Sequence, residues 1–432
     1  MNRTAHRGRI AHLLGDPGST GQSKALAHFE DGCLLVEAGK IVGCDHWDKL
    51  SPDSGQWQLI EHGSSLILPG FVDTHIHFAQ TDIIASFGQH LLEWLNDYAF
   101  PVEQRIGRDR QYATDTAQFF VDELIRNGTT SALVFGTVHK HSIDALFDAA
   151  LVKNMRLIGG KVLMDRGAPD DLCETISQGR TDTLALIDEW QNKGRLGYAI
   201  TPRFAPTSTW DQLTDAGHML REHPDVLMHT HLSENKKEIE LVGELFPDCD
   251  DYLGVYEKAG LLCDRAVFAH CVHLSDSEQS RIAAAGASIA FCPTSNLFLG
   301  SGLFNLRAAR AANINVGLGT DVGAGSSFSM LSTQAEAYKV GQLRGHALHP
   351  LEALYLATLG GAKALHIEAK VGNFETGKEA DFVVINPMAS PLLARRTAQS
   401  PDIMDLLFAL GMLGGQMVIQ ETWLAGHRSY VA

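Results

Sequence analysis

His75 and His77 flank one isoleucine in the run Pro69-Gly-Phe-Val-Asp-Thr-His-Ile-His-Phe-Ala-Gln80. The apolar stretch Leu66-Ile-Leu-Pro-Gly-Phe-Val72 precedes them and reads as a buried strand over 66–72. Side chains two residues apart on a strand share a face, so both imidazoles point the same way. Paired neutral ring nitrogens at the carboxyl end of a buried strand are a way to grip a metal ion. Taken alone the pair is weak, because surface histidine pairs are common.

Three further segments carry ionisable groups after apolar runs. They are Val226-Leu-Met-His-Thr-His-Leu-Ser-Glu234, Ala266-Val-Phe-Ala-His270-Cys-Val-His273 and Val316-Gly-Leu-Gly-Thr-Asp321. Each has an ordinary structural reading. A histidine at a strand end is often a satisfied core residue, and Asp321 before Val-Gly-Ala-Gly could form an Asx turn or cap. Glu234 could open a helix over 234–242, where a carboxylate suits the positive end. The separate readings compete well one by one. Chance does not readily place histidines and an aspartate at several strand ends, with a glutamate three residues after one of them.

Together the residues have one chemistry. His75, His77 and His231 supply neutral nitrogens and Asp321 an anionic oxygen, a mixed set that suits Zn²⁺, with Fe²⁺ also possible. Water on such an ion has a pKa of about 7. Asp321 could also take a proton from that water, and Glu234 could protonate a substrate ring atom. His270 could orient the nucleophile or stabilise charge. His229 faces the same way as His231, so at this level either could be the ligand. His273 reads as structural.

The elements that must position these groups alternate. Candidate strands are 66–72, 130–135, 155–162, 196–201, 226–231, 266–270, 287–291 and 314–319, with helical patterns between several of them. One helix is expected over 110–126, stopped by Asn127-Gly128, and another begins near Pro350. Eight β/α units predict a (β/α)8 TIM-like barrel over 67–371, although doubly wound sheets share the alternation. In a barrel, functional groups gather at the carboxyl ends of the strands. The chain ends, 1–66 and 372–432, read as short strands and turns that join into a small β-sandwich domain. Leu34–Val42 is an expected hairpin with Ala-Gly-Lys at its turn. Met417–Ile419 and Thr422–His427 suggest another.

Composition narrows the class. The chain has 432 residues and a formal net charge of −16, which argues against a nucleic-acid surface but not against a small base as substrate. Seven cysteines, with no CxxC, read as free thiols in a reducing compartment. No signal peptide and no membrane-spanning stretch are found, so a soluble cytoplasmic protein with no membrane partner is expected.

The quoted motifs resemble the amidohydrolase superfamily over most of the chain. They are Pro69-Gly-Phe-Val-Asp-Thr-His-Ile-His, His229-Thr-His-Leu-Ser-Glu, Phe268-Ala-His-Cys, Gly317-Leu-Gly-Thr-Asp-Val-Gly and the late Gly377-Lys-Glu-Ala-Asp-Phe-Val-Val. A fifth-strand histidine followed at three residues by glutamate resembles the one-metal deaminase branch, and that spacing favours His231 as the ligand. Within the branch, four segments are similar to the guanine deaminase family: Phe78-Ala-Gln-Thr-Asp, Leu91–Pro101, Thr201-Pro-Arg-Phe-Ala-Pro206 and Gly319–Leu331. The resemblance implies hydrolytic deamination of guanine to xanthine and ammonia with one zinc per chain. It implies Gln80, Arg203 and Phe204 in a purine pocket, with Glu234, His270, His231 and Asp321 around the reacting carbon, and a homodimer. Physical chemistry agrees: arginine can donate to a carbonyl, an amide both donates and accepts, and phenylalanine can stack on a ring. Trp94 is expected to pack beneath the pocket.

Alternatives remain at this level. The same chemistry could act on 8-oxoguanine, a pterin, an adenine derivative or an s-triazine. Lys161 near the third strand end raises a two-metal cyclic amidohydrolase, whose bridging lysine lies on strand four. A non-catalytic scaffold would be expected to have lost ligands that this chain keeps. The H-x-E…P-C-x-x-C signature of another zinc deaminase class is missing. Ala324 stands where many relatives are expected to carry glycine. The apolar run Ile403–Leu413 reads as a helix that packs either inward or across a partner.

Overall fold

The apolar run before His75 divides between two sheets in the computed structural model, which describes residues 3–53, 55–88 and 90–432. Met1, Asn2, Ser54 and Gln89 lie outside the described residues. Gln58–Pro69 belongs to a sheet built from the chain ends, and Phe71–His77 starts a second sheet. The single strand expected over 66–72 is corrected accordingly. Gly70 separates the two strands, and a Cβ there would collide with the Thr130 side chain. His75 and His77 therefore lie inside a strand rather than just beyond one.

The second sheet contains eight parallel strands in chain order: Phe71–His77, Thr129–Phe135, Arg156–Gly160, Leu196–Pro202, Leu227–Leu232, Ala266–His270, Ser288–Phe291 and Asn315–Leu318. Val162–Leu163 adds a short pairing beside the fourth. The last strand returns to the first. The Thr74 hydroxyl donates to the Leu318 carbonyl at 2.9 Å, and the amides of Asp321 and His77 donate to the carbonyls of His75 and Val322, both at 2.9 Å. With helices in the connections, this is the (β/α)8 barrel that the alternation predicts. Arg110–Arg126 illustrates a connecting helix. Ala113, Ala117, Phe120, Val121 and Leu124 recur at helical spacing and are buried. The helix stops at Gly128, whose φ of +81° is open to glycine at no steric cost.

The first sheet has seven strands and draws on both chain ends. Its order is His427–Val431, Ile419–Leu424, Phe382–Ile385, Gln58–Pro69, Arg3–Leu13, Leu26–Glu37 and Lys40–His46. The expected sandwich thus takes the form of one hydrogen-bonded sheet, with Ile10, Leu34, Ile67, Phe382, Val384 and Trp423 in its core. The expected hairpin around 34–42 turns at Ala38-Gly39, at φ of 50° and 78°, the left-handed pair that a two-residue turn needs. The last hairpin turns at Ala425-Gly426, and its first strand begins only at Ile419 because Gln416–Val418 forms a 3-10 turn.

Two compact units can be described. One comprises Thr74–Val121 with Ala132–Ser327; the other runs to Asp73 and adds Asp122–Ser131 and Phe328–Ala432. Ile403–Leu413 is helical and packs within the second unit against Met330–Leu343, Pro350–Ala357 and Pro391–Thr397. Among the described residues, no helix is long and apolar enough to cross a membrane.

Candidate active site

Four polar atoms converge at the carboxyl ends of the first, fifth and eighth barrel strands, all within the unit Thr74–Val121 and Ala132–Ser327. His75 Nε2 lies 3.2 Å and His77 Nε2 3.4 Å from Asp321 Oδ1, and His231 Nε2 lies 3.3 Å from His77 Nε2. Ligands about 2.0–2.1 Å from a tetrahedral ion are about 3.3 Å from one another, and these three spacings match that value. Burial pushes the pKa of His75, His77 and His231 well below the ordinary range, keeping these rings neutral as ligation requires. The nitrogens of His75, His77 and His231 form one mutually close set, and Asp321 belongs to a second with His75, His270 and Cys292, so that His75 is common to both.

The surrounding contacts aim the rings. His231 Nδ1 donates to the Arg203 carbonyl at 2.6 Å, which leaves Nε2 as the lone-pair nitrogen facing the cluster. His75 Nδ1 lies 2.8 Å from His229 Nε2, so His75 too presents Nε2 to the cluster. Asp321 reaches inward from a left-handed backbone, φ +51°, a conformation aspartate tolerates better than most residues. The bend continues through Gly325, where a Cβ would collide with the Thr320 carbonyl.

Glu234 stands beside this cluster. Helix Lys236–Leu245 starts two residues later than expected. Asn235 caps it, and the Glu238 carboxylate accepts from the amides of Glu234 and Asn235, each at 3.0 Å. Glu234 is thereby freed from the helix and directed into the cavity. Its Oε1 accepts from Ser301 Oγ at 2.9 Å, and its Oε2 lies 3.5 Å from His270 Nε2. Burial pushes the Glu234 carboxyl up to about 7, suited to holding or releasing a proton at neutral pH. His270 has φ +69°, and its Nδ1 donates to Asn296 Oδ1 at 2.9 Å. Burial opposes protonation of His270, but the Glu234 and Asp321 carboxylates outweigh it and raise its pKa.

A cavity opens onto these groups. Gln80, Arg203 and Phe204 line it together with His77, His231, Glu234, His270 and Asp321. Leu91, Trp94, Leu95 and Leu299 form its apolar wall. Trp94 is both a wall residue and buried, its Nε1 donating to the Ser86 carbonyl at 3.1 Å. The Ala324 methyl group belongs to the same lining.

Other sequence candidates lie off the cavity. His229 sits behind His75, and His273 Nε2 bonds the Ser301 carbonyl at 2.7 Å. Lys161 is buried after the third strand and hydrogen-bonds Glu174. Strand four is Leu196–Pro202, so Lys161 does not hold the position of a metal-bridging lysine. Glu103, Asn296 and Ser301 touch site residues and were not singled out by motif. Asn296 and Ser301 fall in Cys292-Pro-Thr-Ser-Asn-Leu-Phe-Leu-Gly-Ser, polar groups after a strand end, which was a readable signal. Glu103 carries a weaker one: a carboxylate on the helix face shared with Ala99 and Ile106.

Comparison with known proteins gives the family. Residues 66–427 match the amidohydrolase family. Guanine deaminase of Escherichia coli is 50% identical over 411 residues, covering 94% of this chain and 93% of that protein. The solved E. coli guanine deaminase superposes with a TM-score of 0.95 at 47% identity, covering 100% of both chains. Guanine deaminase from C. acetobutylicum, solved with guanine bound in its active site, gives a TM-score of 0.89 at 30% identity over 99% of this chain and 100% of that one. The chain belongs to the amidohydrolase family and, within it, to the guanine deaminases.

Proposed function

We propose that this enzyme hydrolyses guanine to xanthine and ammonia. The observation that carries the reading is the placement of Glu234. Its carboxyl, pushed up to about 7 by burial, opens onto the cavity that Arg203, Gln80 and Phe204 line. The relatives named above support the choice of base.

His75, His77, His231 and Asp321 would hold one divalent metal, Zn²⁺ in this reading with Fe²⁺ as the alternative, which when bound brings a water to a pKa of about 7. The side chains then move protons. The water oxygen bonds to C2 as Glu234 transfers a proton from that water to ring N3. Asp321 carries the second proton from the new hydroxyl to the exocyclic nitrogen. The C2–N bond breaks, ammonia leaves, and the C2 carbonyl of xanthine remains. His270, held by Asn296, stabilises the negative charge on Glu234 and Asp321 as they exchange protons. Arg203 donates to the base carbonyl, Gln80 reads an adjoining edge and Phe204 covers the ring face.

Residues 67–371 carry the chemistry in this reading, and residues 1–66 with 372–432 form the small β domain. The chain acts in purine breakdown as a cytoplasmic homodimer. Seven free cysteines support a reducing compartment. The test is loss of guanine absorbance with ammonia release measured in parallel. Conversion to xanthine that stops on chelation supports the reading. Metal-replete protein that leaves guanine untouched moves the activity to another aminated heterocycle.

A further inference from the structure

Arg203 and Gln80 are not independent of each other. Arg203 Nη1 donates to both oxygens of Glu103, at 2.7 and 2.9 Å, and Gln80 Nε2 donates to Glu103 Oε1 at 3.4 Å. Glu103 is fully buried on helix Phe100–Arg108, and its oxygens meet nothing charged but Arg203 among the described residues. It is not in the cavity lining, whereas both of its partners are.

These contacts fix how the two partners face the cavity. The guanidinium uses Nη1 for Glu103, so Nη2 and Nε remain for a ligand. The Gln80 amide is pinned at both ends, because its Oε1 also accepts from the Gly323 amide at 3.3 Å. An amide held in this way cannot flip, so its remaining donor and acceptor keep fixed places. Charge follows the same logic. A buried guanidinium without a carboxylate would make the pocket cationic and favour anions over a neutral base. With Glu103 opposite it, Arg203 offers directed N–H groups from a neutral pair.

We propose that Glu103 is a positioning residue for specificity: it sets Arg203 and Gln80 as one reader of the carbonyl edge of the purine. The inference rests on the guanine reading above and adds to it the residue that decides whether a 6-carbonyl is required. It requires no contact between Glu103 and substrate.

The test uses two purines that differ at that edge, hypoxanthine with its 6-carbonyl and N1–H and purine itself with neither, as competitive ligands of the metal-replete enzyme. Wild type prefers hypoxanthine. In E103Q the preference falls by about tenfold or more, since a site built to bond a carbonyl loses most of its discrimination when its donors are misplaced. A merely structural role for Glu103 would weaken both ligands equally, and an unchanged preference overturns the proposal. Should E103Q fail to fold, E103D keeps the charge but withdraws the carboxylate by one methylene. It is judged by the same ratio, which must still fall by about threefold. Wild-type turnover of guanine is measured alongside. Wild type that neither converts guanine nor prefers hypoxanthine removes the guanine reading and this proposal with it. Wild type that does both, with an unaltered ratio in the variant, removes only the role of Glu103.

Discussion

His229 Nε2 lies 2.8 Å from His75 Nδ1, so the two histidines of the fifth strand stand at different depths on one face. Alternation puts both side chains on the same side. Two residues of strand separate them by about 6.6 Å along the chain, enough for His231 to reach the cavity and for His229 to support His75 from behind. Loss of each should differ. His229→Gln should weaken metal retention by about 10–100-fold, the usual effect of removing a group that orients a ligand. His231→Gln should leave little bound metal. Chelator competition on purified variants checks this. Equal losses in both would mean that His229 is itself a ligand.

Glu234→Gln should keep the metal and lose turnover. The amide still fits between Ser301 and His270, but it cannot carry a proton. Loss of a general acid–base residue costs about 10²–10⁴-fold, so kcat should fall by at least about a hundredfold with metal content unchanged. Ser301→Ala, which removes only the hydrogen bond at Oε1, should fall by less. A Glu234→Gln variant with most of its activity would remove the proton-carrier role.

Much of this site was legible because barrel strands end where function gathers, and the chain marks four of those ends with a histidine, glutamate or aspartate after an apolar run. Seven of the eight barrel strands and the 110–126 helix followed from the apolar runs and their periodicity. Depth was not legible. Alternation assigns a face but does not separate His229 from His231 along it. Nor could the run 66–72 reveal that Gly70 divides it, because both of the strands that it joins are buried. Glu103 was hidden for a third reason. Its partners are 23 and 100 residues away, and no local pattern records such a pairing.

Lys161 and Glu174 offer a test of structure separated from chemistry. Both side chains are largely buried, and they bond each other away from the cavity. Lys161→Met leaves Glu174 as an unpaired buried carboxylate, which costs about 3–5 kcal/mol. The unfolding midpoint should fall while metal content and guanine turnover at low temperature persist. Adding Glu174→Leu should recover most of the stability, because an apolar pair needs no compensation. Loss of metal in Lys161→Met would instead mark the lysine as part of a metal site.

The sheet from the chain ends carries a separate dependence on pH. His6 is wholly buried between Phe382 and Trp423, with Nδ1 3.0 Å from His62 Nε2 and Nε2 3.1 Å from Thr4 Oγ1. Burial first, and then the field of His62, lower its pKa from 6.5 to about 3. The unfolded chain takes up a proton near pH 6.5 that the folded sheet refuses until about pH 3. The stability that His6 contributes is therefore complete above pH 6.5 and is lost as pH falls from there toward 3. The slope approaches about 1.4 kcal/mol per pH unit for one proton. His12, lowered to about 4 chiefly by burial, adds a second proton over much of the same window. His6→Gln can keep a hydrogen bond to Thr4 and has no proton to refuse. It should be less stable than wild type at pH 7.5, and the gap should narrow as pH falls to 5. Denaturant midpoints measured across that range decide the matter: parallel curves would mean that His6 does not couple folding of this sheet to protons.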